Sequence, residues 1–375
     1  MEKIMKEPFI PPSLPVEVGY DAGLQRQLSA VERALGRFDG LLSVLPNADL
    51  LIAPLVRREA VSSAQIEGSE STISDVLRFE SDDDFAAPEK RDDLREIRNY
   101  YRALHEAETK LGGGFSFDLW MLRGLHETLL GDSVRGGDKE PGNFRSRQNW
   151  IGPPGAPMSG ATYIPPPPEK IGELMENWLA FWRADTPSPL VQAAVLHGQF
   201  EVIHPFMDGN GRIGRLLVSL FLSEKRVLAR PVFYLSGRLA ARREEYQRGL
   251  NDLDTHPGKW REWVAFFLDI CAEQAEENIK ISRTILDLHK ALTKQAEDLL
   301  GSRYAAGFMD AVFARPVFML KNLQFPGKRP SHLTLNSMVK KLVAEGVLIK
   351  AREGRRNKPA MFMLPSFIKI LENGV

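Results

Sequence analysis

Long apolar runs, disulfide partners and net charge are all missing from this chain, and each absence removes a class of answer. Cys271 is the single cysteine, so no intramolecular disulfide can form, which fits a reducing compartment. The longest apolar run, near Leu216–Leu222, is far too short to cross a bilayer. Met1 to Pro15 mixes charge with proline and lacks the apolar core of a signal peptide. No repeat of solenoid period is present. These features predict a cytoplasmic protein with no membrane partner. Lys+Arg and Asp+Glu each number 49, so the formal net charge is zero. That balance conceals an asymmetry, because Arg315 to Lys369 holds twelve Lys/Arg against two acids, about +10. At 375 residues, 43% hydrophobic and 26% charged, the chain can bury a large core divided into two or three domains.

What is present is mostly helical spacing. Residues 1–18 read as a proline-rich extended arm. Gly23 to Gly40 carries Leu24, Leu28, Val31, Leu35 and Phe38 at helical intervals, and Pro46 and Asn47 break the pattern. A second helix is predicted from Leu51 to Ile66 with Pro54 in its first turn, where proline is tolerated. Further helices are expected over 91–111, 117–130, 171–181 and 190–203, then over 213–224, 231–254 and from Trp260 to Leu292. Ser81 to Asp84 reads as a solvated acidic loop, and its carboxylates lack the ordered spacing of a calcium site. His126 and Glu127 read as structural. Between Gly131 and Pro168 periodicity gives way to glycine and proline. Short strands near Asn143–Arg145, Gln148–Gly152 and Ala161–Ile164 suggest a β-hairpin there.

The chemistry is concentrated in His204-Pro-Phe-Met-Asp208-Gly209-Asn210-Gly211-Arg212-Ile-Gly-Arg215, where one helix stops and the next begins. Pro205 biases His204 away from helical geometry. Gly209 and Gly211 permit dihedrals that turn successive N–H groups toward one point, and the following helix adds its positive end. The turn is thus a cradle for phosphate oxygens. Arg212 and Arg215 share a helix face and can clamp a polyphosphate. Asp208 supplies an oxygen ligand of the kind Mg²⁺ takes beside nucleotide phosphates. His204 can take the proton of an attacking hydroxyl.

This segment resembles the signature of Fic-domain proteins, His-Pro-Phe-x-(Asp/Glu)-Gly-Asn-Gly-Arg-x-x-Arg, at all nine fixed positions. The resemblance implies a mainly α fold, with a Fic helical core, a β-hairpin flap, an N-terminal helical segment and a C-terminal winged-helix-like domain. It implies transfer of AMP from ATP to a Ser, Thr or Tyr hydroxyl of a target protein, and of the chain itself. His204 is then the base, Asp208 the Mg²⁺ ligand, and Gly209 to Gly211 the cradle, with Asn210 orienting the α-phosphate. Arg212 holds the bridging phosphates and Arg215 the γ-phosphate. The flap holds the target by strand addition. Tyr246 and Asn251 are candidates for flanking the adenine. Ser63-Ala-Gln-Ile-Glu67-Gly68 is similar to the inhibitory motif of this family, in which Glu67 pairs with Arg215 and excludes the γ-phosphate from its productive pose.

The basic C-terminal stretch adds a helix with Leu335, Met338, Val339 and Leu342, closed by Gly346, and two strands over 347–349 and 361–364. A helix followed by a basic hairpin resembles a winged helix. Thr334 to Ser337 would open its recognition helix, and Arg355, Arg356 and Lys358 would tip its wing. DNA is therefore a candidate partner, as is docking on the core or on a partner subunit, and a homodimer is left open. The domains expected are 1–90 for the inhibitory region, 91–299 for the catalytic core and 300–375 for the C-terminal unit. Two alternatives stand beside protein adenylyltransferase. One is a hydrolase that removes AMP with the same site, and the other is a DNA-binding regulator with a nucleotide-sensing core.

Overall fold

Helical spacing becomes helix along most of the chain. In the computed structural model, residues 7–45, 48–82, 84, 87–131, 139–153, 155–255, 257–325, 327–355 and 358–374 are described. The order begins α1 (Ala22–Ser43), α2 (Asp49–Ile66), α3 (Ile73–Ser81), α4 (Arg91–Gly112) and α5 (Leu119–Leu130). It continues α6 (Ile171–Arg183), α7 (Pro189–Ile203), α8 (Asn210–Glu224), α9 (Ser236–Ala241), α10 (Arg243–Thr255) and the long α11 (Trp260–Leu300). The last part is α12 (Ala305–Ala314), β1 (Val317–Phe318), α13 (His332–Ala344), β2 (Ile349–Arg352), β3 (Met361–Met363) and α14 (Pro365–Asn373). The fold is mainly α, and its one sheet among the described residues is antiparallel in the order β1-β3-β2.

The helix α7 is central, since every residue from Leu190 to Ile203 is buried. It packs against α6, α8, α10 and α11. Ser188 caps its start by accepting from the Val191 amide, with Pro189 following where a missing N–H costs nothing. Trp178 and Trp263 close on it from two sides, donating indole N–H groups to the Leu196 and Ala194 carbonyls. Phe117 stacks on Trp182 at 4.2 Å and buries the start of α5 beneath α6. The N-terminal arm straps this core, with the Phe9 amide on the Ile164 carbonyl and Gln199 donating to the Pro12 carbonyl.

Several expectations are corrected. The α2 helix starts at Asp49, so Pro54 lies inside it, two positions deeper than predicted. The α3 helix was not foreseen: Thr72 and Asp75 form a reciprocal capping box, and only nine residues follow, too few for a clear apolar period. A break at Arg242 divides the expected 231–254 helix into α9 and α10. The expected β-hairpin reduces to one antiparallel bridge, Ile151 with Tyr163, among the described residues. Glycine and proline on both sides interrupt any longer ladder. Pro46, Asn47 and Arg356 lie outside the described residues.

The acidic stretch is in part a docking point: Ser81 and Asp82 are tied down, while Asp84 stays exposed as expected and Asp83 lies outside the described residues. Asp82 pairs with Arg352, Lys358 approaches Asp84 at 3.4 Å, and the Ser81 hydroxyl donates to the Val317 carbonyl. Arg315 donates to the Glu80 carbonyl at 2.8 Å, and Arg58 holds the Leu371 carbonyl at 3.0 Å. The basic C-terminal unit therefore sits against α2 and α3, with opposite charges facing. Replacing Asp82 by Ala removes a carboxylate that pairs with the part-buried Arg352 guanidinium. We expect a loss of about 1–3 kcal/mol of stability, read as a lower urea midpoint.

Candidate active site

The signature loop is shaped by what α7 cannot do at its end. His204 takes left-handed dihedrals (φ 50°, ψ 60°) while its amide still bonds the Phe200 carbonyl at 2.9 Å. Pro205 forbids continuation of the helix, and a non-glycine residue in this region costs about 1–2 kcal/mol. Arg145 holds it there. Its side chain donates to the His204 carbonyl at 3.0 Å, and its amide donates to the Pro205 carbonyl at 2.9 Å. Asn210 closes the loop with two reciprocal bonds of 2.8 Å to the backbone of Phe206. Its side chain thus braces the turn. From the other side His126 donates Nε2–H to the Asp208 carbonyl and accepts the Gly142 amide on Nδ1, each at 3.0 Å. Its ring stacks on Phe206 at 3.8 Å, the structural role expected of it.

Gly209 has φ 76°, which a side chain would strain, and from Asn210 the chain is helical, three residues earlier than predicted. The first amides of α8 therefore belong to the loop itself, an anion cradle at the positive end of a helix. Asp208 accepts the Gly209 amide at 2.6 Å on Oδ1 and is about half exposed (48%), leaving carboxylate surface open.

Two guanidinium groups flank this cradle. Arg212 donates to Glu96 of α4 at 2.6 Å, comes within 3.5 Å of Asp208, and has a buried Nε without a partner. Arg215 is buried, and its Nε donates to the Ser63 hydroxyl at 3.0 Å. Its Nη2 donates to the Ser63 carbonyl at 3.1 Å and to Glu67 Oε1 at 2.8 Å. The approach at Gly211 is close: a Cβ there would lie 2.5 Å from Glu67 Oε1 and 2.8 Å from Arg215 Nη1, so the ends of both side chains would have to shift. Gly68, φ 96°, ends the motif just beyond α2. Burial opposes ionisation of Glu67, but Arg215, aided by Arg212, outweighs it and holds the carboxyl below its usual range.

The α2 helix is anchored by a residue that sequence reasoning missed. Glu59 accepts the Tyr100 hydroxyl at 3.0 Å, the Ser236 amide at 3.0 Å and the Ser236 hydroxyl. Glu59, Ser63 and Glu67 are spaced by four, so one helix face carries the anchor and both Arg215 contacts. Arg145 and Glu96 were also missed. Nothing in their local spacing marks them, since each acts on a residue distant in the chain. Tyr246 is placed differently from expectation. It is 4% exposed, with its hydroxyl 3.0 Å from His197 Nε2, beneath Arg215 and not on an open nucleotide surface. Asn251, one turn further on α10, is exposed.

The chain matches two family models, described as the Fic/DOC family N-terminal region over residues 25–109 and the Fic/DOC family over residues 116–222. The chain belongs to the Fic/DOC family. A probable protein adenylyltransferase of Aquifex aeolicus is 40% identical over 70 residues, 18% of this chain and 22% of that protein. Protein adenylyltransferase Fic of Drosophila melanogaster is 37% identical over 103 residues, 26% of this chain and 18% of that one. The match therefore spans only about a fifth of these relatives. In fold, the chain is similar to a Fic family protein from Desulfovibrio desulfuricans, with a TM-score of 0.58 at 19% identity. That likeness covers 93% of this chain and 98% of the other. A fragment of Fic-1 from C. elegans aligns at a TM-score of 0.54 and 19% identity over 70% of this chain and 73% of that one.

Burial holds three histidines neutral around this Fic site: His126 at about 4, His197 at about 3 and His204 at about 4. Their folded values lie below the ordinary 6.5, so between pH 6.5 and about 4 the unfolded chain binds protons that the folded one refuses. Their contribution to stability is complete above pH 6.5 and is lost as pH falls. Urea titrations across this window should show stability dropping on acidification, and His126→Gln should reduce the slope by about one proton.

Proposed function

We propose that this chain is a protein adenylyltransferase, moving AMP from ATP to a Ser, Thr or Tyr hydroxyl of a target protein, and that Glu67 restrains it. The observation carrying this reading is the ion pair between Glu67 and the buried Arg215 beside an anion cradle and a neutral imidazole.

The triphosphate lies along the loop, its α-phosphate facing the amides of Gly209 to Gly211 at the start of α8. Arg212 meets the bridging oxygens and Arg215 the γ-phosphate, each through charge-assisted bonds. Asp208, with carboxylate surface open, would hold Mg²⁺, which would supply positive charge to offset that on the departing phosphates. Burial holds His204 neutral, as a general base requires, and because its Nδ1 is itself buried, Nε2 is the nitrogen that would meet the hydroxyl. It accepts the proton of the target hydroxyl as that oxygen bonds to the α-phosphorus. The bond from α-phosphorus to the bridging oxygen breaks, and pyrophosphate departs. Alignment is most of phosphoryl-transfer catalysis, so a γ-phosphate kept off Arg215 by Glu67 leaves the α-phosphorus poorly presented.

Removal of AMP from a modified protein is a second reading. It is favoured by the Glu67 carboxylate, which is 46% exposed and can hold an attacking water. The C-terminal unit reads as a winged helix, and the pairing of Arg352 and Lys358 with Asp82 and Asp84 favours docking over nucleic-acid contact.

With labelled ATP and Mg²⁺, Glu67→Gly should raise AMP incorporation by about tenfold or more, within the range of ordinary coupling energies. His204→Ala should abolish it in either background. Equal labelling with and without Glu67 would remove the restraint from this account. Faster loss of AMP from a premodified target in wild type than in Glu67→Gly would favour the hydrolase.

A further inference from the structure

Both arginines of the cradle meet a carboxylate, but the two carboxylates are mounted differently. Glu67, the partner of Arg215, is the residue just past the end of α2. Glu96, the partner of Arg212, lies inside α4 with helix on either side. That helix is tied to its neighbours close to Glu96. Tyr100, one turn further on, donates to Glu59 of α2 at 3.0 Å, and Asn99 donates to the Leu129 carbonyl of α5 at 3.4 Å. Loss of Glu67 from its arginine therefore leaves Glu96 where it is.

The position of the Arg212 guanidinium follows from two further distances. Its Nη2 is 3.5 Å from Asp208 Oδ1, and that oxygen is 2.6 Å from the Gly209 amide nitrogen. The guanidinium thus sits beside the first amide of the cradle. Of its two carboxylates Glu96 is the anchor. Glu96 accepts from Nη1 at 2.6 Å and is 16% exposed, whereas Asp208 is farther away, 48% exposed and already bonded within its own loop. Nε is buried without a partner, so nothing on that side fixes the tilt of the group. The Glu96 bond takes Nη1 alone and leaves the edge nearest Asp208 for another anion.

We propose that Glu96 is a positioning residue for Arg212, holding its guanidinium at the rim of the cradle before a nucleotide arrives. A side chain already fixed loses less freedom when its ligand binds. The inference rests on the proposed nucleotide site, in which Arg212 meets the bridging oxygens. Glu96 therefore acts on nucleotides that carry a second phosphate, and sets preference for these over a monophosphate.

The test uses the full chain in the Glu67→Gly background, with ATP, ADP and AMP binding followed by calorimetry. Glu96→Ala should weaken ATP and ADP about tenfold and leave AMP unchanged, in the range of coupling between neighbouring residues. Glu96→Gln keeps an acceptor oxygen and should recover most of the loss. Should Glu96→Ala not fold, Glu96→Asp, which draws the carboxylate back by one methylene, is measured in the same way. Tighter ADP binding without Glu96 would mean that it competes with phosphate, and overturns the proposal, as does equal weakening of all three nucleotides. Urea midpoints supply a readout that needs no nucleotide: Glu96→Ala with Arg212→Ala should lose less than the sum of the two single changes. Additive losses overturn the pairing. Coupled midpoints in a protein that binds none of the three nucleotides support the pairing and overturn the proposed function.

Discussion

A guanidinium group sealed inside a protein must find an anion, and Arg215 finds its anion on a helix from the other end of the sequence. An unpaired buried charge costs several kcal/mol, so whatever occupies Arg215 is held tightly. Here the occupant is Glu67, supported by two contacts from Ser63. The same bond that neutralises the arginine fixes α2 across the mouth of the loop. Under the proposed restraint, stability of the resting state and silence of the site are one interaction, which a competing anion would weaken.

The loop beside it is organised on another principle. Its backbone is held by side chains, those of Arg145, Asn149, His126 and Asn210, which bond carbonyls and amides from Gly142 to Asp208. With these groups satisfied internally, the amides at the start of α8 are left facing outward with fixed direction. Preorganised dipoles do not have to turn when charge develops, which is the economical way to stabilise a transition state. The strained dihedrals of His204 belong to the same design, since Arg145 reaches over its carbonyl.

Much of this could be read in the sequence, because the informative residues are local. The twelve residues from His204 to Arg215 carry base, acid, turn and cations with no long-range information, and the helices flanking them have clear apolar spacing. The Ser63–Glu67 motif was legible for the same reason, its partners lying four apart. Residues that act at a distance left no mark. Glu59, Glu96 and Arg145 each serve a group more than 40 positions away, and a lone charged residue in a helix resembles any solvated one. The docking role of Asp82 was not legible because its partner, Arg352, lies 270 residues on. Tyr246 reads in the sequence as a candidate for flanking adenine, and its burial against His197 is not legible there, since helical spacing gives a face without saying what that face meets.

Glu67 stands at the carboxyl-terminal boundary of α2, where peptide dipoles gather negative potential and no basic side chain occupies the last turn. An anionic group is disfavoured there by about 0.3–1 kcal/mol. The helix therefore pushes outward on the very carboxylate that Arg215 draws inward, like a latch closed against a light spring. Gly68, already in a conformation open to glycine, allows the terminal turn to unwind. Glu59, two turns back and clasped by Tyr100 and Ser236, keeps the shaft of the helix where it is. Under the proposed restraint, opening the site would take the fraying of a few residues at the end of α2.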